Sequence, residues 1–187
     1  MFMETTIAEI KENFYQLNKL IIETMSRIEN LTKIKDLTES SKLKDELADL
    51  MRRTKFDDNY ITNKLPNKID VLVKRIEAGI PRSIRNDKIE EIRRSLDVGV
   101  TKLAKYLRSL RNMIESIYKR IKPNLSGNDL LLIRRTAGTI KNGYIYSEKQ
   151  LDTLFNEIET LKGMMETLDH EQVRVKQFLE REYAELR

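Results

Sequence analysis

The chain has 187 residues, with 35 Lys and Arg against 30 Asp and Glu, one histidine, no tryptophan and no cysteine. Lacking cysteine, it has no disulfides, thiolate chemistry or cysteine-ligated zinc; 40% apolar and 35% charged residues are lean for a compact globule and normal for long amphipathic helices. The net charge of +5 is unevenly spread: residues 64–143 carry 19 basic against 8 acidic side chains, a net of +11, while residues 1–63 have a net of −2 and residues 144–187 a net of −4.

The start, Met1-Phe2-Met3-Glu4, has neither the basic region nor the apolar core of a secretory signal. The densest apolar run, Leu130-Leu131-Leu132-Ile133, falls far short of the ~20 apolar residues that cross a bilayer. No transmembrane segment is expected, and the chain reads as soluble and cytoplasmic.

In the N-terminal arm, residues 4–53, Ile7, Ile10, Phe14, Leu17, Ile21, Ile28 and Leu31 follow the 3-4 alternation of one helical stripe, interrupted at Thr24. After Leu31 the phase slips, and Thr38-Glu39-Ser40-Ser41 marks either a break with a fresh helix from Ser41 to Arg53 or a stutter. The Asp- and Asn-rich stretch from Lys55 to Pro66 predicts a loop, with Pro66 disfavouring helix at Leu65. A short helix is expected from Asn67 to Ala78, ended by Gly79-Ile80-Pro81.

The central helix is predicted from Asn86 or Asp87 to Lys122. Its apolar set, Ile89, Ile92, Leu96, Val100, Leu103, Leu107, Leu110, Ile114, Ile117 and Ile121, lies within an arc of about 100°. Gly99, inside this helix, suggests a close helix contact or a weak point. Ser126, with Asp129 three residues on, opens a further helix to about Asn142, where Gly143 reads as the residue after a helix end. Ser147-Glu148-Lys149-Gln150 reads as a capping box opening the last helix, residues 147–187, with a positions at Leu151, Ile158, Met165, Gln172, Leu179 and Leu186 and d positions at Leu154, Leu161, Leu168, Val175 and Glu182.

Signatures of catalysis are missing. His170 is the only histidine, and its neighbours Asp169 and Glu171 point away from it on a helix, so a metal site has no ligand set. Gly138 and Gly143 have the spacing of a phosphate loop, but Tyr144-Ile145 stands where Lys-Ser/Thr would follow. No enzyme activity, cofactor or metal is expected.

The basic charge is organised. Arg94, Lys105, Arg108 and Lys119, spaced 11, 3 and 11 residues apart, fall within an arc of about 60° opposite the apolar stripe. Arg111 flanks that arc, Arg75, Arg82 and Arg85 precede the helix, and Arg134 and Arg135 follow it. These ten residues are the candidate nucleic-acid contacts, toward the phosphates of DNA or RNA without base readout. Tyr144 and Tyr146 are the aromatics best placed to stack on bases, although such residues commonly pack between helices. The competing expectation is a coiled-coil structural or adaptor protein. Leu154, Ile158, Leu161, Met165, Leu168, Gln172, Val175 and Leu179 would then form a homo-oligomer or capture a helical partner. In a parallel homodimer Glu157 would face Lys162, and Glu171 would face Lys176. Phe155, Met164 and Phe178 widen that stripe and favour a bundle of three or more helices.

The stretch Leu125-Ser126-Gly127-Asn128-Asp129-Leu130-Leu131-Leu132-Ile133-Arg134-Arg135, with Ile140-Lys141-Asn142-Gly143-Tyr144-Ile145-Tyr146-Ser147-Glu148-Lys149-Gln150-Leu151, resembles a helical hairpin found in proteins of phages and mobile elements. In that hairpin one helix ends in x-x-G-x-x-apolar-S-x-K-Q and a second follows. Many of those proteins act in DNA replication or processing, so the resemblance, over residues 125–161, implies such a setting. It carries no catalytic residue, and Tyr146 stands where the pattern has leucine. Together these observations predict one elongated all-α domain over residues 1–187, a helical bundle with basic central helices (67–143) between long coiled-coil-like terminal helices.

Overall fold

The computed structural model describes residues 2–34, 40–56, 63–79 and 87–185, with side chains for all of these except residues 2–6, 168, 169, 172 and 173. The described residues form five α-helices and no strand: α1 (Phe2–Leu31), α2 (Ser41–Arg53), α3 (Leu65–Ala78), α4 (Asp87–Arg120) and α5 (Gly127–Glu185). The fold is an all-α bundle, and none of the described helices is long and apolar enough to cross a membrane.

In α1 the expected seam is buried at Ile7, Ile10, Phe14, Ile21 and Ile28, with Leu17 and Leu31 half-buried. Asn18 and Met25 join it, each one helical turn beyond a buried neighbour. Thr24 is buried too, and its hydroxyl donates to the Leu20 carbonyl at 2.8 Å, which removes the cost of an unpaired donor. Of the two readings for the region after Leu31, a separate helix from Ser41 forms. Half of the Thr38–Ser41 slip and half of the expected 55–66 loop lie outside the described residues.

Helix α3 begins at Leu65, two residues before the predicted start, with Pro66 in its first turn. A proline is tolerated there because the first amide groups of a helix have no acceptor within it. Helix α4 follows its predicted course: Ile89, Leu96, Leu103, Leu107, Leu110, Ile114 and Ile117 are all buried.

The main departure is α5. No stop occurs between Asn142 and Ser147; the helix runs unbroken for 59 residues, ~88 Å at 1.5 Å per residue. Its start is as expected. The Ser126 amide and hydroxyl both donate to the Asp129 carboxylate, at 3.0 and 2.9 Å, and the Asp129 amide donates back to the Ser126 hydroxyl at 3.1 Å. These bonds, the backbone one foremost, hold the Asp129 carboxyl below its usual pKa.

Why the helix continues is visible at Gly143. A Cβ added there would lie 2.4 Å from Leu110 Cδ2 and 3.2 Å from the Tyr106 hydroxyl. The glycine lets α4 and α5 touch, and this contact offsets the ~1 kcal/mol that glycine costs a helix relative to alanine. Gly99 does the same from α4, where a Cβ would meet Leu154 Cδ2 at 2.5 Å. Ser147 caps nothing. It is buried, and its hydroxyl donates to the Tyr144 carbonyl at 2.7 Å within the same helix.

Helix α5 is shared between α1 and α4 and is antiparallel to both. Toward α1, Lys11 sits over Phe155, the Tyr15 hydroxyl donates to Asp152, Asn18 Nδ2 donates to the Tyr144 carbonyl at 2.7 Å, and Glu29 pairs with Lys141 at 2.7 Å. Toward α4, Ser95 donates to Glu157 at 3.1 Å, and Tyr106 meets Tyr146 edge-on at 5.5 Å. The shorter helices close the remaining sides, tied by Arg27–Glu46 between α1 and α2 and by Arg93–Glu77 between α4 and α3, both at 3.0 Å.

Candidate nucleic-acid interface

The outward side of α4 is set by the residues its core cannot accept. With the apolar stripe turned toward α5, Arg94, Val98, Thr101, Lys105, Arg108, Asn112, Ser116 and Lys119 follow one another at three- and four-residue steps, and all are exposed. Between Val98 and Ile114 the sequence holds four basic residues and no acidic one. From Arg94 to Lys119 the face runs ~37 Å, or roughly one turn of B-form duplex.

Folding divides the ten predicted contacts into groups. Arg94, Lys105, Arg108 and Arg135 are exposed and form no ion pair among the described residues. Lys119 is exposed and paired within its helix to Glu115 at 3.3 Å, a surface contact of little strength that a phosphate could replace. Arg75 is exposed on α3 and engaged in an interaction of its own. Arg82 and Arg85 lie outside the described residues.

Arg111 and Arg134 are half-buried. Arg111 donates to the Phe56 carbonyl at 3.1 Å and stacks on the Phe56 ring at 4.4 Å, fastening the end of the α2 region to α4. Arg134 has its Nε buried without a hydrogen-bond partner among the described residues. Other cations near the face are occupied as well. Arg93 is held charged by Glu77 and then Glu90, Lys122 pairs with Asp129 at 3.4 Å, and Lys141 pairs with Glu29. Lys102 and Arg120, both exposed and without ion pairs among the described residues, extend the face instead.

The two aromatic candidates separate cleanly. Tyr144 is 2% exposed, and its burial pushes the phenol pKa well above the ordinary tyrosine value, so it is a core residue. Tyr146, two positions on, is 51% exposed and forms a T-shaped pair with half-buried Tyr106. Lys102 lies one turn from Tyr106 along α4, and Lys149 three residues from Tyr146 along α5. An exposed π face near cations in the sequence is chemistry suited to an unpaired base on a phosphate chain.

The predicted oligomerisation residues also part company. Leu154, Ile158 and Leu161 are buried in the chain's own core, and Met165 is half-buried against it. Glu157, expected to face Lys162 of another chain, accepts from Ser95, and Lys162 is 7% exposed. Phe155 is fully buried, in keeping with the expected bundle of three or more helices. The side chains of Leu168 and Gln172 lie outside the described residues. Val175 and Leu179 are exposed, together with Phe178 and Tyr183, which the a and d positions alone do not select. Their apolar character at flanking positions is the signal that reveals them. His170 occupies an exposed helix position, and no group of three or more potential metal ligands forms among the described residues.

The chain matches no family model, no curated protein and no solved structure.

Proposed function

We propose that the protein is a non-enzymatic nucleic-acid-binding accessory protein that holds a phosphate backbone along the outer face of α4, without reading sequence. The observation that carries this reading is the exposed set Arg94, Lys105 and Arg108, free of ion pairs among the described residues while neighbouring cations are tied to carboxylates. Guanidinium groups suit phosphate because their donors form a planar fork that matches two oxygens at once. Release of counterions from the nucleic acid supplies the affinity. The exposed Tyr146 favours a single strand or a frayed end, where a base is free to stack.

Binding of a labelled duplex and a labelled single strand, measured by anisotropy across a salt series, tests the proposal. A face that neutralises about four phosphates loses on the order of a hundredfold in affinity between about 50 and about 200 mM salt. The variant with Arg94, Lys105, Arg108 and Lys119 all changed to Glu is expected to bind neither ligand while keeping its helical content, since all four side chains are exposed. Absence of binding by the unaltered chain at low salt would overturn the proposal.

A further inference from the structure

The last third of α5 is not buried in the bundle. Every described side chain from His170 to Glu185 is exposed. Val175, Phe178, Leu179 and Tyr183 are exposed by 57, 60, 59 and 64% and recur at three- and four-residue steps on one side. Together they present on the order of 400–500 Å² of apolar surface, as much as the largest patch on a typical monomer and commonly a sign of function.

We infer that this face is covered by the same face of a second copy of the chain, in a parallel two-stranded coiled coil. Three observations select that occupant. First, residues 170–185 carry three basic and four acidic side chains, so the segment has little net charge and offers no field to a polyanion, while Glu182 at d, set against Glu182 of the other copy, keeps the pairing weak. Second, the charges fit themselves in one orientation. With Leu179 at a and Val175 at d, the flanking contacts of a parallel pair join Glu171 to Lys176 of the other copy and Phe178 to Tyr183 of the other copy, each twice. An antiparallel pair centred on the same residues would set Lys176 against Lys176 and Glu171 against Glu185. Third, the bundle does not stand in the way. At 100° per residue the exposed face points about 80° away from the face buried at Leu151, Leu154, Phe155, Ile158 and Leu161.

The area is modest. Two such faces bury at most roughly 800–1,000 Å², below the size of stable interfaces and in the range of transient ones, so a weak, reversible dimer is expected. The pairing would hold two α4 faces in one particle, the arrangement in which weak phosphate contacts add by proximity.

Sedimentation of the full-length chain over a concentration series tests the inference. The expected result is a reversible shift from the 22.1 kDa chain toward about twice that mass. Leu179→Glu and Phe178→Glu should remove the shift without altering the thermal unfolding of the bundle, because both residues are exposed. Glu171→Lys should weaken dimerisation about threefold to tenfold, and adding Lys176→Glu in the same chain should restore it, as expected when a charge pair is broken and remade. A chain without native cysteine also permits a direct reading of orientation: Leu179→Cys should form a disulfide-linked dimer on mild oxidation. A monomer at every concentration overturns the inference. A dimer that Glu171→Lys strengthens, or that Leu179→Cys fails to cross-link, overturns the parallel arrangement.

Discussion

Residues 130–161 and residues 170–185 belong to one helix and carry the same kind of apolar repeat, yet they meet different surroundings. In the first region Leu130, Ile133, Ala137, Ile140, Tyr144, Ser147, Leu151, Leu154, Ile158 and Leu161 are all buried, in unbroken three- and four-residue steps, between α1 and α4. In the second, side chains of equal hydrophobicity stand in solvent. A helical repeat therefore states which face wants cover and is silent about what provides it. Beside the first region lie two other helices of the same chain. Beside the second, the described side chains from His170 to Glu185 are all exposed, and so the repeat there is left uncovered by the bundle helices.

The sharpest test of this contrast is a pair of phenylalanines. Phe155→Ala should cost about 3–5 kcal/mol, because a fully buried ring leaves a cavity the packed helices cannot close. Phe178→Ala should change the stability of the bundle by less than about 0.5 kcal/mol, since its ring is exposed. Urea denaturation of both variants reads the difference, and equal effects would erase the distinction between the two regions.

A smaller effect is expected at two glycines of the same helix. At Gly143 a methyl group must displace Leu110, an overpacking cost of about 1–3 kcal/mol that outweighs the ~1 kcal/mol gained in helix propensity. Gly143→Ala should therefore lower stability by roughly 1 kcal/mol. At Gly163 nothing lies within 4 Å of an added Cβ, and Gly163→Ala should raise stability by up to about 1 kcal/mol. Opposite signs in thermal melts would confirm that one glycine serves a contact and the other does not.

The smallest effect is a response to alkali confined to the packed region. Tyr15, hydrogen-bonded to Asp152 across the α1–α5 contact, has its pKa pushed up to about 12, first by burial and then by that bond. Burial raises that of Tyr144 as well. Both phenols are harder to ionise folded than unfolded. Their contribution to stability is thus complete below pH ~10, the ordinary tyrosine value, and is lost as pH rises through the folded values. Tyrosinate absorbance should show two late-titrating groups. Unfolding monitored above pH ~10 should set in as they ionise, whereas the Leu179→Glu variant should titrate in the same way.

Much of this was legible from residue order alone, and the places where it was not have a common cause. The seam of α1, the stripe of α4 and the Ser126–Asp129 cap follow from spacing, because a helix places residues three and four apart on one face whatever lies beyond it. The stop expected at Gly143 did not occur. A glycine that ends a helix and a glycine that lets two helices touch look alike in sequence, and the difference here is Leu110, 33 positions away. One local signal did point the right way: the apolar steps from Leu130 to Leu161 pass through Gly143 and Ser147 without losing phase.

The basic face shows the same division. Sequence alone determined that cations line the side of α4 opposite its apolar stripe, since that follows from helical geometry. It could not tell that Arg93 would be spent on Glu77, Lys141 on Glu29 and Arg111 on Phe56, leaving Arg94, Lys105 and Arg108 exposed. Those pairings join residues 16 to 112 positions apart, and only the packing of α1, α3 and the end of α2 against α4 and α5 brings them within reach. The chain's own periodicity fixed the helices and their faces; tertiary contact decided which faces were used up within the chain and which remained exposed.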